Sequence, residues 1–386
     1  MVELGRWTRA ARAGLDSDSA HRAVVPPIHL SANYVFDSPE KPGAYDYSRS
    51  GNPTRDLLDE ALCTLEGGAG STCTTTGMAA VTLVVSAFVP VGGRVVMPHD
   101  AYGGTWRLFN LLAEQRRLSV EFVNLTDLGA TQRALSEPCD LVWIESPSNP
   151  LLRVTDIQKV AEAAHRSGAI VAADNTFASP LLQQPLELGA DLVVHSTTKF
   201  INGHSDAVGG AVVAKYPEHH EALRHWANTL GLTGSPFDAY LILRGLRTLD
   251  ARIRVHAENT KRVVEEFLGH GAVSAIHWPG LGSHPEHELA QRQMAGPGSL
   301  VSVELAGGRP AVDRFLAGLQ IFHLAESLGG VESLICHPQT MTHSAMTPDA
   351  LAAAGITDGL LRLSIGVEAA EDLAVVVREA LARAEG

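Results

Sequence analysis

The chain has 386 residues, 45% of them hydrophobic and 19% charged, with 36 glycines, 20 prolines and a formal charge of -13. That composition is globular α/β, long enough for two domains, and excludes disordered and fibrous classes. No Lys/Arg-rich stripe or tail occurs, so no nucleic-acid partner is expected.

The N-terminus lacks an apolar h-region, and the longest apolar-leaning run, Met78 to Val91, is too short to cross a bilayer. Cys63, Cys73, Cys139 and Cys336 are scattered without a CxxC pair or a zinc spacing. These features predict a cytoplasmic protein with free thiols, no membrane contact and no metal.

Residues 1 to about 48 have no periodicity, and Val24-Val25-Pro26-Pro27 is extended because each proline pushes its predecessor out of the α region. An apolar, aromatic arm without secondary structure must pack on something, and a neighbouring subunit is one such surface. Thr54 is the expected cap of a helix ending near Gly67-Gly68. Thr74-Thr75-Thr76-Gly77-Met78 then leads into an apolar helix. Hydroxyls and glycine before a helix N-terminus suit an anion, and equally suit an ordinary cap.

Strands are predicted at Arg94–Pro98, Val120–Asn124, Leu141–Ile144, Ile170–Ala173, Leu192–His195 and Ala211–Ala214, and a helix over Ile157–Gly168. Short apolar strands alternating with helices predict a mostly parallel sheet in a three-layer α/β/α domain. Polar residues recur where these strands end: Asp100 and Tyr102, Glu145 to Asn149, Asp174, then His195 to Lys199. That edge is where open α/β sheets place their chemistry.

From about Phe237 the pattern changes. Phe237–Leu249 and Ala251–Leu268 read as helix, Leu300–Leu305 and Leu361–Ile365 as strand, and Ala311–Leu319 and Glu371–Arg383 as helix. A smaller C-terminal α+β domain is expected. The predicted organisation is an arm at 1–48, a large domain at 49–246 and a small domain at 247–386.

Ser196, Thr198 and Lys199 offer hydroxyls for a phosphate and an amine able to form an imine with an aldehyde. That set suggests pyridoxal 5'-phosphate (PLP), although a lone lysine on a loop is more often just solvated. PLP also needs an acid opposite its ring nitrogen and an aromatic face. Asp174, one crossover before Lys199, suits the first; it also suits a local turn cap. Tyr102 suits the second, or a half-buried place at a strand exit. GxGxxG and Walker-type loops are absent from the sequence.

The stretches VVPPIHLSANY, YSRSGNPTR, GMAA, DAYGGTWRLF, ESPSNPLLR, ADNTFASP, HSTTKFINGHSD, WANTLGLTG, LRGLRTL, AESLGGVESL, MTHSAM and LRLSIGVE resemble the Cys/Met-metabolism PLP-dependent enzymes of trans-sulfuration. The likeness runs from about residue 14 to 380, and HSTTKFINGHSD matches the family's lysine signature. It implies the fold-type I PLP-dependent transferase fold and a homotetramer built from dimers that share active sites. By the resemblance, Lys199 forms the imine and shuttles protons, Asp174 pairs with the ring nitrogen and Tyr102 stacks on the ring. Gly77, Met78, Ser196 and Thr198 hold the phosphate, with Tyr47 and Arg49 reaching it from a neighbouring subunit. Asn149 lies at the ring oxygen or substrate, and Arg362 clamps the substrate α-carboxylate with help from Ser327.

Within the family the likeness is greatest to the bacterial γ-synthases. Those enzymes join O-succinyl-L-homoserine and L-cysteine into L-cystathionine with release of succinate. Asp46, Glu326 and Arg107 are the expected substrate residues, Arg107 (or Lys41) attracting the succinyl carboxylate. Gly104 stands where methionine γ-lyases carry cysteine. The γ-lyase is the leading alternative, followed by the sulfhydrylases; a non-catalytic protein on the same fold is the alternative of another class.

Overall fold

A computed structural model of the chain describes residues 4–385. The strands are β1 (Gly70–Thr74), β2 (Gly93–Pro98), β3 (Leu118–Val123), β4 (Leu141–Glu145), β5 (Ile170–Asp174), β6 (Leu192–His195), β7 (Gly210–Ala214), β8 (Val273–His277), β9 (Leu300–Leu305), β10 (His323–Leu324), β11 (Leu334–Cys336) and β12 (Leu360–Ser364). The chain divides into two compact units, one formed by residues up to Pro90 with Ile170–Asp250, the other by Val91–Ala169 with residues from Ala251 onward.

In the first unit the strand order is β1-β7-β6-β5. β5 and β6 are parallel, with Asp174 opposite Val194; β6–β7 and β7–β1 are antiparallel. Helices Gly77–Phe88 and Pro217–Leu230 pack together and against β1 and β7. Helix Pro53–Glu66 packs against the same strands, with Pro236–Leu246 beside it. β1, β6 and β7 are buried along their whole length, which is why β6 and β7 read as continuous apolar runs.

β1, GSTCT, escapes sequence reading because its residues are small and polar. A Cβ at Gly70 would lie 2.1 Å from the His220 ring, so close helix packing selects glycine over a strand former there. The helix at Pro53 is capped by Asn52, not by Thr54. The Asn52 carboxamide oxygen accepts from Thr54 N–H (3.0 Å) and Arg55 N–H (3.3 Å). Proline at the first helical position has no N–H and a fixed φ, so the cap falls on the residue before it. Thr54 Oγ1 accepts instead from His29 N–H at 2.9 Å.

Helix Arg6–Ala11 apart, no helix or strand is assigned among the described residues before Pro53. Residues 32–34 and 46–48 are tied by Tyr34 N–H to Asp46 O and Ser48 N–H to Ala32 O. Val24, Leu30 and Val35 are exposed.

In the second unit β4-β2-β3 are all parallel, and β10-β11-β12-β9-β8 form a mixed sheet. Phe267, Trp278, Phe315, Val303, Leu361, Leu363 and Val377 centre its core. The two helical segments expected after Phe237 are the helices Pro236–Leu246 and Leu249–Phe267, divided near Thr248. The chain is therefore mixed α/β, with parallel pairing dominant among β2 to β6 and a smaller sheet following. No described helix is long and apolar enough to cross a membrane.

Candidate active site

The first unit carries the lysine and the anion cradle. β6 ends at the buried His195 and releases Ser196, Thr198 and Lys199 into a turn, where Lys199 N–H donates to Ser196 O. Because β5 runs parallel beside it, Asp174 ends level with Val194. Two hydrogen bonds join these strand ends: Ser196 N–H donates to Thr176 Oγ1 (2.8 Å), and Thr176 N–H donates to Asp174 Oδ1 (2.9 Å). Burial pushes the Asp174 carboxyl up, while the Thr176 bonds oppose it. An acid held in low dielectric favours a neighbouring proton or cation.

Thr76 caps helix Gly77–Phe88 by accepting Ala79 N–H at 2.9 Å. The Gly77 and Met78 N–H groups lie in the first turn, where a helix offers no partner. A Cβ on Gly77 would stand 2.8 Å from Ser196 Cβ and 2.9 Å from its Oγ. Absence of that atom lets the first-turn N–H groups and the Ser196 hydroxyl approach one another, donors of the kind a phosphate needs. Gly209 N–H donates to Thr198 Oγ1 at 3.0 Å and fixes that hydroxyl. The residues therefore fit a phosphorylated pyridine aldehyde: anion cradle, lysine and an acid that favours a protonated ring nitrogen.

Behind this turn lies a buried pair that sequence reading missed. His195 Nε2 is 2.6 Å from Glu66 Oε1, which also accepts from Asn175 Nδ2 at 2.9 Å. Just past the arm, Arg49 lies over the Tyr47 ring at 5.6 Å and donates to Asn228 O and Oδ1. Asp46 accepts from Ser50 Oγ and from Tyr47 N–H, and these bonds hold its carboxyl below the usual carboxylate range. Asp46 thus already closes the arm's own turn.

The second unit carries the other residues expected at ring and substrate, Tyr102, Arg107, Asn149, Glu326, Ser327 and Arg362. Tyr102 is the N-cap of helix Gly103–Glu114, and its N–H meets the Glu145 carboxylate. Burial, with the Glu326 charge adding and Arg107 opposing, pushes the Tyr102 phenol up. Arg107 and Glu326 are both exposed, so they lie on a wet rim. Asp100 accepts from Ser148 Oγ and Arg153 Nη1, both at 2.7 Å.

Arg362 lies inside β12 and is 2% exposed, so the surface ion pair common for strand arginines does not apply. Its Nη1 donates to Asn149 Oδ1 at 2.8 Å and its Nη2 to Ser327 O at 2.9 Å. Ser327 has φ +88°, a left-handed conformation costing a non-glycine residue roughly 1–2 kcal/mol. That backbone aims its carbonyl at the guanidinium. Both acceptors are neutral, and Arg362 Nε is buried without a partner. A buried cation held by neutral oxygens is a receptor for an anion, and a carboxylate matches its fork. Glu145, legible in the sequence as a polar strand end but without a role, and His343, legible only within the MTHSAM stretch, are further polar residues here.

An α/β protein with this lysine, cradle and acid at its strand ends has the residue set of a PLP enzyme. Residues 7–382 match the model for the Cys/Met metabolism PLP-dependent enzymes. Cystathionine γ-synthase of Escherichia coli (strain K12) is 52% identical over 366 residues, 95% of each chain. The crystal structure of cystathionine γ-synthase from Xanthomonas oryzae pv. oryzae in complex with cystathionine is 58% identical, with a TM-score of 0.98 over 100% of this chain and 99% of that one. A cystathionine β-lyase of Coxiella burnetii is 43% identical over 95% of each chain. The chain belongs to the Cys/Met-metabolism PLP-dependent enzymes, and PLP is its cofactor.

Proposed function

We propose that the chain catalyses γ-replacement, joining O-succinyl-L-homoserine and L-cysteine into L-cystathionine and succinate for methionine biosynthesis. The observation that carries the reading is the 52–58% identity, over nearly the full length of each chain, to cystathionine γ-synthases. The β-lyase relatives stand lower, at 41–43%.

The proposed residue roles rest on the family resemblance, with support from their surroundings. Lys199 anchors the cofactor covalently and carries protons to and from the substrate. Gly77 and Met78 N–H groups, with Ser196 and Thr198, bind the phosphate; Tyr47 and Arg49 reach it in a neighbouring subunit. Asp174 holds a proton at the ring nitrogen. Bound there, PLP supplies an electron-poor ring that stabilises negative charge at the substrate α carbon. Tyr102 stacks on the ring, and its raised phenol remains a donor at neutral pH. Arg362, set by Asn149 and Ser327, binds the α-carboxylate. Arg107 attracts the succinyl carboxylate from the rim, and Asp46 and Glu326 engage the incoming amino acid.

The proposal includes a homotetramer of dimers in the cytoplasm, organised as an arm (1–48), a PLP domain (49–246) and a small domain (247–386). The exposed apolar residues of the arm, Val24, Leu30, Val35 and Phe36, support a subunit contact there. Four free cysteines suit a reducing compartment.

The holoenzyme, given O-succinylhomoserine and cysteine, is expected to release succinate and form cystathionine, read by chromatography. Cleavage of cystathionine to cysteine, 2-oxobutyrate and ammonia without synthesis would make it a γ-lyase. Sedimentation gives the oligomeric state, and a monomer would overturn the shared-site arrangement.

A further inference from the structure

We propose that His343 is a positioning residue: its ring N–H fixes Asn149, and through Asn149 the Arg362 guanidinium that receives the substrate carboxylate. The inference rests on the reading of Arg362 as the carboxylate receptor and adds the residue that holds the receptor in place.

His343 is fully buried. Its Nε2 lies 3.1 Å from the backbone oxygen of Asn149, and its Nδ1 lies 2.9 Å from Thr342 Oγ1. A carbonyl oxygen only accepts, so Nε2 carries the proton. Nδ1 then offers a lone pair, and the Thr342 hydroxyl donates to it. One neutral tautomer satisfies the whole ring. Burial and the nearby Arg362 charge lower the His343 pKa to about 4, against the opposing Asn149 hydrogen bond and the smaller effect of Asp100, so the ring stays neutral near pH 7.

The consequence falls on Asn149. Its backbone carbonyl takes the His343 proton, and its side-chain oxygen takes the Arg362 Nη1 proton. The residue is pinned at both ends. Arg362 has two neutral acceptors, Asn149 Oδ1 and Ser327 O, and a buried Nε with no partner. The direction of the guanidinium fork before substrate arrives therefore depends on where these two oxygens sit. An uncharged imidazole holds the Asn149 backbone that carries one of them, without adding an anion that would compete for the guanidinium. A carboxylate or a charged imidazole at position 343 would neutralise or repel the cation that the substrate needs.

The test compares binding of an L-amino acid with binding of its α-carboxamide to the PLP-loaded enzyme, read by the change in visible absorbance. The unaltered protein is expected to prefer the acid. In H343L that preference falls by about tenfold, the effect of losing one buried hydrogen bond. H343Q, which keeps an uncharged N–H donor, restores most of it. The three proteins are compared at equal cofactor occupancy, because Asn149 is also expected at the ring oxygen or substrate. A preference undiminished in H343L overturns the role of His343 while leaving the carboxylate reading of Arg362 intact. Absence of any preference in the unaltered protein overturns both. Nitrogen NMR of histidine-labelled unaltered protein is an independent check that needs no variant. It is expected to show His343 neutral with the proton on Nε2 at pH 7, and a doubly protonated or Nδ1–H ring would overturn the proposal.

Discussion

The backbone N–H of Tyr102 meets the carboxylate of Glu145, 2.8 Å from Oε2 and 3.1 Å from Oε1. Glu145 closes β4, and the same carboxylate lies 3.4 Å from the buried Trp143 indole nitrogen. One acid at a strand end thus fixes the start of the helix that presents Tyr102. Glu145→Ala leaves these donors without their acceptor and is expected to cost about 1–3 kcal/mol in denaturant unfolding. Glu145→Gln retains an oxygen and is expected to recover much of the loss; equal loss in both variants would show that charge, not acceptance, matters.

Lys199→Ala is expected to abolish turnover and the visible absorbance of the cofactor–lysine imine. Circular dichroism should remain that of the folded chain. Turnover comparable to the unaltered enzyme would remove Lys199 from the mechanism.

Gly77→Ala probes the cradle. The added methyl would fall 2.8 Å from Ser196 Cβ, so the turn after β6 or the helix start must shift. Overpacking of this kind typically costs about 1–3 kcal/mol, and here the cost is expected in cofactor affinity. Dialysis against PLP-free buffer should strip the variant faster than the unaltered protein. Equal retention would place the phosphate elsewhere.

Two buried imidazoles set an acid limit on stability. Burial lowers the pKa values of His284 and His343 from 6.5 to about 4. In the unfolded chain each takes up a proton near pH 6.5, so folding is favoured fully above that pH. Stability is lost as pH falls from 6.5 toward 4, by at most roughly 3 kcal/mol per residue. His220, His256, His277 and His337 are shifted in the same direction by burial. Urea unfolding at stepped pH is expected to show this decline, and His343→Gln should remove one share of it. A flat profile between pH 6.5 and 4 would contradict the burial of these rings.

The apolar runs of β4, β5 and β6 were legible because strands buried on both faces announce themselves by hydrophobicity alone. The polar residues after them were legible as a site because chemistry collects at strand ends. β1 was not legible, since close packing against His220 favoured small residues over β formers. The cap at Asn52 was misread by two positions, because the proline that excludes Thr54 acts through backbone geometry rather than through pattern.

By itself the sequence determined the mixed α/β class, the neighbouring strands that carry Asp174 and Lys199, the candidate cofactor residues and, through its motifs, the family. The tertiary structure alone decided which polar groups meet. It buried Arg362 between two neutral oxygens, turned Ser327 into a left-handed conformation to supply one of them, and set Glu145 and His343 behind Tyr102 and Asn149. Those contacts join residues far apart in the chain. Local periodicity carries no record of such pairings, because they depend on how strands and turns pack around a buried charge.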